Sequence, residues 1–374
     1  MKSLGSIEDL RQTSKVRYPI SDVIVLVVAA IIGKAQSWTD IEDYGNAYFD
    51  ILHEYLQIEA IPSHDTIQRV MALINPAVLQ RIYQKWCDAM DFPEETPESL
   101  RGHKLLNIDG KTIRGSAGRG KKAVHVESAW DPQRGVCMGQ TAVDSKSNEI
   151  TAIPKVLTNL DLHGYIVTSD AMGTQTAIAE QIISQGGDYL LAVKGNQCSL
   201  YRALITYAED EILRRELEKK GNYLKTKEKA HGQIETREYW QTDDISWLEG
   251  KDRWSGLQSV GFERSTIKKS GQEPQITWRV FICSLPVDIE MFATAVRGHW
   301  RIEAMHYVLD TTLKEDENQT IERTAAENLN IVRKWVITIL RHVKVSRKDA
   351  SFRSKSYILS LDPRPALKML ATRH

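Results

Sequence analysis

The stretch LLNIDGKTIRGS, from Leu105 to Ser116, decides how the rest of the chain is read. Leu105, Leu106 and Ile108 suit a buried strand, and the run stops on an acid, Asp109. Gly110, Lys111, Arg114 and Gly115 follow at once. A carboxylate at the end of an apolar strand recurs in YIVTSD, where Tyr165 leads to Asp170. Ligands of open sheets bind beyond the carboxyl ends of strands, so neighbouring strands would set these two acids a few ångströms apart. Like charges that close need a cation between them.

A third acid lies in GHWRIEAMHYVLDTTLKEDE. On a helix Glu303 shares a face with His299, His306, Tyr307 and Asp310, while Trp300, Ile302, Val308 and Leu309 could pack on a sheet. Each acid alone has an ordinary explanation, a turn, a helix cap or a solvated face. Two strand-end aspartates followed by a helical glutamate suit magnesium or manganese, hard ions that take oxygen ligands.

Working outward, residues 1–98 read as a helical N-terminal domain. The run VIVLVVAAIIG, Val23 to Gly33, is too short for a membrane span, which needs about 20 apolar residues. It is expected as a core helix capped by Ser21 or Asp22. Glu8 and Asp9 argue against a signal peptide. Helices are expected over 38–56, 63–74 and 77–90, with a proline-bearing linker from Asp91 to Gly102. Residues 99–345 alternate strands with helices, which predicts an α/β domain with a mixed sheet flanked by helices. A β-rich insertion spans about 200–285, with SGQEP as a hairpin turn. Long helices are expected over 289–313 and 321–345, then a basic tail over 346–374.

Lys plus Arg is 49 and Asp plus Glu is 49, so no single-sign field covers the surface. Local excesses remain. Arg101, Lys104, Lys111, Arg114, Arg119, Lys121 and Lys122 stand against Asp109 in one segment. From Arg341 onward nine cations face Asp349 and Asp362. Glycines at 110, 115, 118 and 120 would let backbone approach a polyanion. Four scattered cysteines give no zinc or disulfide pattern and fit a reducing cytoplasm. No G-x-x-x-x-G-K-[ST] loop for a nucleotide cofactor is present.

IDGKTIRGS (108–116), SNEITAIPKVL (147–157), VTSDAMGTQ (167–175), GDYLLAVKGNQ (187–197), HGQIETR (231–237) and RGHWRIEAMHYVLDTTLKED (297–316) occur in that order, after PSHDTIQRV (62–70). Together they resemble the bacterial insertion-sequence transposases of the DDE class, in the H-repeat-associated branch. The resemblance implies an RNase H-like core with Asp109, Asp170 and Glu303 as catalytic triad and ligands of two divalent ions. It implies cleavage and strand transfer on double-stranded DNA, a homodimer on paired ends, and no membrane or nucleotide. Lys111, Arg114, Lys194 and Arg297 are candidate DNA-phosphate contacts. Where other branches carry Tyr, Arg and Lys around the Glu, this chain has Val296, His299 and Asp310, with Arg297 or Lys314 as substitutes. Helices at 39–57 and 65–75 could read DNA through Gln68 and Arg69. A metal-dependent nuclease that cannot join, and an inactive relative that only binds DNA, are the alternatives.

Overall fold

The computed structural model describes residues 16–118, 120–143, 149–230 and 232–371. Arg119, Ser147, Asn148 and His231, with Glu8, Asp9 and the last three residues, lie outside them.

Helix α1 (Ile20–Ile32) is apolar all round and buried all round, as such a helix must be. Neither Ser21 nor Asp22 caps it. Pro19 occupies the cap position, and Asp22 is buried, accepting the Gln57 N–H at 2.7 Å. The helix expected over 38–56 is two, α2 (Trp38–Ala47) and α3 (Phe49–His53), because Tyr48 leaves helical backbone angles between them. A Ser37–Asp40 capping box starts α2. Helices α4 (His64–Leu73) and α5 (Pro76–Met90) complete this bundle. Arg69 on α4 is exposed and Gln68 is half-buried.

The sheet begins with β1 (Lys104–Ile113), β2 (Val124–Asp131) and β3 (Val136–Val143), an antiparallel meander. The chain then passes through α6 (Glu149–Leu157), β4 (Tyr165–Ser169), α7 (Thr176–Ser184) and β5 (Asp188–Val193). Strands β1, β4 and β5 are parallel neighbours. Helices α8 (Cys198–Glu209) and α9 (Glu211–Lys219) precede β6 (Tyr223–Ala230), β7 (Gln233–Thr242), β8 (Ser259–Lys269) and β9 (Gln275–Cys283). These last four strands prolong the same sheet rather than forming one of their own. Strand β9 pairs antiparallel with β5, from Leu190↔Cys283 to Val193↔Val280. The order is β3-β2-β1-β4-β5-β9-β8-β7-β6.

Helices α6 and α7 cover one face of the first five strands, where Leu106, Ile108 and Val167 meet Ile153, Leu157 and Ile178. On the opposite face lie α10 (Ile289–Thr311) and α11 (Arg323–His342). Helix α11 also packs on α1, α4 and α5, so the helical bundle and the sheet share one core.

The basic tail expected after 346 folds as α12 (Phe352–Leu361) and α13 (Arg364–Ala371). Leu359, Ala366, Leu367 and Leu370 are buried against the α1 bundle, and the Ser356 hydroxyl donates to the Ile32 carbonyl at 2.8 Å. The apolar spacing at 366, 367 and 370 is a helical face, and that face outweighs the charge count.

Candidate active site

Strand β1 does not end at Asp109. It runs on to Ile113 because β2 stays paired to it, Ile113 facing Val124. Its pairing with β4 does end, at Ile108↔Ser169. Asp109 and Asp170 are each the next residue on adjacent parallel strands, which lie about 4.8 Å apart. Asp170 then caps the short turn that follows, its carboxylate accepting the Met172 N–H at 2.9 Å. A Cβ on Gly173 would lie 2.0 Å from Ser169 Oγ, so only glycine lets the chain turn this tightly.

Helix α10 travels along β1 in the same direction. Leu105 lies under Gly298, the Asn107 amide donates to the Gly298 carbonyl at 2.8 Å, His306 reaches Asp109, and Asp310 reaches Lys111. The lengths agree: six strand residues at about 3.3 Å nearly equal twelve helical residues at about 1.5 Å. Alternation along β1 sends residues 105, 107, 109 and 111 to the helix, and Leu106 and Ile108 to the other core.

A buried polar chain fixes this register. The Thr168 hydroxyl lies 2.8 Å from both Asn107 Oδ1 and His299 Nδ1. Because the Asn107 amide nitrogen already donates to Gly298, its oxygen accepts from Thr168. Thr168 then accepts from His299 Nδ1–H, leaving Nε2 as the acceptor nitrogen. Burial pushes the His299 pKa down to about 4, with Arg279, Lys194 and His306 acting in the same direction against the pull of Asp109. His299 is thus a neutral tie between strands and helix.

Burial would raise the Asp109 pKa, but the His306 hydrogen bond and charge, with smaller help from His299 and the Gly110 N–H, hold it below the ordinary value. The His306 Nδ1–Asp109 Oδ2 distance is 3.4 Å. Glu303 behaves oppositely: burial first, then the charge of Asp109, raises its pKa. Glu303 and Asp170 line one cavity of about 170 Å³ together with Thr168, Lys194, Arg279 and His299. Trp300 stands at its edge, 37% exposed, with the Arg279 guanidinium 4.7 Å from its ring centre. It was expected in the core, but it faces the cavity. Arg279 has no counterpart in the sequence reading. Its signal was the polar alternation in ITWRV, where the cation is flanked by Trp278 and Val280.

The other cations sort differently from expectation. Lys111 is nearly buried and sits 2.8 Å from Asp310 and 3.1 Å from both Glu315 and Asp316. It is an internal counterion and leaves no ammonium for a phosphate. Arg297 lies six residues from Glu303, about 240° around the helix, and faces Glu228 at 3.7 Å on the far side. Arg101 pairs with Asp288 and Glu290, and Lys104 with Glu94. Arg114, with an 83% exposed side chain, stays available beside Asp316, and Lys194 lines the acid cavity. Gly110 and Gly115 do not admit a polyanion. A Cβ on Gly110 would strike His125, and one on Gly115 the Asn318 carbonyl.

Among the described residues, no group of three or more His, Cys, Asp or Glu side chains is close enough to hold a metal ion. The donor chemistry of Asp109, Asp170 and Glu303 is nonetheless all carboxylate, the set hard divalent ions select, and burial followed by the charge of Asp109 raises the Glu303 pKa. Two of the acids are held by His306 and by the Met172 N–H.

Sheet and flanking helices define an α/β protein built on one mixed nine-stranded sheet. The transposase DDE domain model matches residues 100–339, and the DDE_Tnp_1-associated model matches residues 1–87. The chain belongs to the bacterial insertion-sequence DDE transposases, in the H-repeat-associated branch. It is 37% identical over 384 residues to the "H repeat-associated putative transposase YhhI" of Escherichia coli K12, covering 99% of this chain and 97% of that protein. The "H repeat-associated putative transposase YbfD" of the same organism is 42% identical over 241 residues, 63% of this chain and 91% of its own length. The "Inactive transposase YbfQ", also of Escherichia coli K12, is 41% identical over 73 residues, 19% of this chain and 87% of that protein. No helix among the described residues is long and apolar enough to cross a membrane.

Proposed function

We propose that this chain cuts DNA at the ends of an insertion sequence and joins the freed ends to a target, using Asp109, Asp170 and Glu303 as a metal-binding triad. The observation that carries the reading is the placement of the three acids toward one end of the sheet, without a formed cluster among the described residues. Asp109 and Asp170 follow the last paired residues of adjacent parallel strands, and Glu303 shares a cavity with Asp170 and feels the charge of Asp109. The antiparallel β3-β2-β1 followed by parallel β4 and β5 supports an RNase H-like core.

Divalent ions, magnesium or manganese, held by these acids would activate water and then a DNA 3′-hydroxyl, and would stabilise the leaving oxygen. The chain's own residues set the stage. The Asn107–Thr168–His299 tie holds α10, and with it Glu303, in register with both aspartates. His306 keeps Asp109 ionised and ready to ligate. Lys194 and Arg279 put positive charge on the cavity wall where a scissile phosphate would lie, and Arg114 extends it on the surface.

The test is magnesium- or manganese-dependent cleavage and joining of the element's own ends, wild type against Asp109→Asn. Activity in the wild type alone supports the triad. Equal cleavage by both proteins would refute it. A second reading is a protein that binds DNA without cutting. It is favoured by the absence of a formed three-acid cluster among the described residues and by one relative named inactive. Wild-type binding with no cleavage under either metal would establish it.

A further inference from the structure

A groove of about 520 Å³ lies beyond the acid cavity, where three distant parts of the chain meet. Lys34 and Gln36 come from the segment after α1, Tyr307 to Lys314 from the end of α10, and Ser351 to Arg353 from the start of α12. The Asn318 side-chain amide donates to the Gln36 carbonyl, which ties the first part to the second. No Asp or Glu lines the groove, and three cations do: Lys34, Lys314 and Arg353. Among the described residues neither Lys34 nor Arg353 has a carboxylate partner, while Lys314 pairs with Glu317 at 2.6 Å across an exposed surface. The loop leading into it exposes Lys344, Arg347 and Lys348.

Two further observations set this groove apart. Only four non-glycine residues among those described hold a positive φ, and two are its lysines, Lys34 at 72° and Lys314 at 53°. Left-handed backbone favours glycine, so a lysine at each of these positions costs some local stability. The exposed aromatic side chains among the described residues are Trp300, Tyr307 and Tyr357. Trp300 edges the acid cavity, Tyr307 lines the groove, and Lys34 lies 5.7 Å from the ring centre of Tyr357. Cations interleaved with exposed rings are the surface that nucleic acid takes. By contrast, the cavity on the other side of α10 sets Arg297 and Arg237 against Glu228, with Arg301 beside them, and no exposed aromatic among the described residues lines it.

We propose that this groove carries the phosphate backbone of the DNA as it leaves the acids, with Lys34, Lys314 and Arg353 contacting phosphates. The proposal rests on the DNA-acting function above. The span fits. Tyr307 is one helical turn from Glu303 and Thr311 two turns, about 6 and 12 Å, which is roughly two to four nucleotide steps along one strand. Neither the helical bundle nor the sheet makes this surface alone.

The test uses the full chain and a fluorescent duplex of about 40 base pairs of arbitrary sequence, titrated between about 50 and 200 mM salt. The triple variant Lys34→Gly, Lys314→Gly, Arg353→Gln should bind about 10–100-fold more weakly, with a salt slope smaller by about three. Its melting temperature should hold or rise, because glycine suits both left-handed positions. A control, Lys268→Gln with Lys269→Gln on the β8–β9 hairpin, should bind as the wild type does. Single Arg353→Gln, at an exposed side chain, should lower the slope by about one. Wild-type affinity and slope in the triple variant, with the wild type binding normally, would overturn the groove and leave the proposed function standing. A collapsed melting temperature would show that the lysines serve the fold, and would also overturn it. A wild type that neither binds nor cleaves DNA would remove both proposals together.

Discussion

Two groups of acids hang from the same helix, and the protein treats them in opposite ways. Near the end of α10, Asp310, Glu315 and Asp316 surround Lys111, and Glu315 is also met by Asn330 at 2.8 Å and Arg333 at 3.9 Å. Burial of Glu315 would raise its pKa, yet Lys111 and Arg333 hold it below the ordinary value. About two turns earlier, Asp109 and Glu303 have His306 and the more distant Lys194 and Arg279, and Glu303 is left with a raised pKa. In the first group Lys111 lies within 3.1 Å of all three acids. In the second, Asp109 has the His306 imidazole at 3.4 Å, and Glu303 shares its cavity with Lys194 and Arg279. Acids that a fold pairs closely with a cation read as scaffolding, and acids less closely paired in a cleft are candidates for a ligand site.

The sharpest way to break this contrast is Asp109→Asn. Metal-dependent cleavage should fall by about three orders of magnitude, since several kcal/mol of transition-state stabilisation is at stake at tenfold per 1.36 kcal/mol. The urea midpoint should barely move. A large loss of stability with cleavage intact would reverse the assignment of the two groups. Lys111→Met should do the converse, costing about 3 kcal/mol, chiefly by stranding the buried Glu315 carboxylate. Urea unfolding reads that loss, and a change below about 1 kcal/mol would mean that the cluster is dispensable.

The pH dependence of stability separates the groups more finely. The folded-state pKa of Glu315 lies below its unfolded value, so its contribution is present above about pH 4.3 and disappears as pH falls through the lower folded value. Glu315→Gln should flatten that acid limb, and an unchanged limb would contradict it. The folded-state pKa of Glu303 lies above its unfolded value, so its contribution is present below about pH 4.3 and is lost as pH rises through the higher folded value. Glu303→Gln should therefore raise the melting temperature slightly at pH 8, by about 1 °C given its exposure to solvent screening, and not at pH 4. A fall at pH 8 would show that Glu303 is supported within the chain after all.

Much of the fold was legible in local pattern. The strand runs, the β2–β3 and β8–β9 hairpins and the two long helices were all readable, because alternation and helical spacing are properties of neighbours in sequence. The start of the first long helix stood at Ile289 and the other limits moved by two or three residues, to Ile289–Thr311 and Arg323–His342. The C-terminal segment was misread because charge counting weighs every side chain equally. Leu359, Leu367 and Leu370 are few, but they share faces that α1 can bury. The β-rich stretch was readable as strands, but not as a continuation of the first sheet, since β5 and β9 meet across about ninety residues.

By itself the sequence determined the membership of the family and the strands and helix that carry the three proposed acids, since each is a local motif. Only the tertiary structure decided which charges are answered. Lys111 follows Asp109 by two residues and looked like its partner in binding DNA. Its actual partners, Asp310, Glu315 and Asp316, are about two hundred residues away, brought to it by the run of α10 along β1. Whether a cation is free depends on distance in space and on burial, and neither is a property of neighbours in the chain.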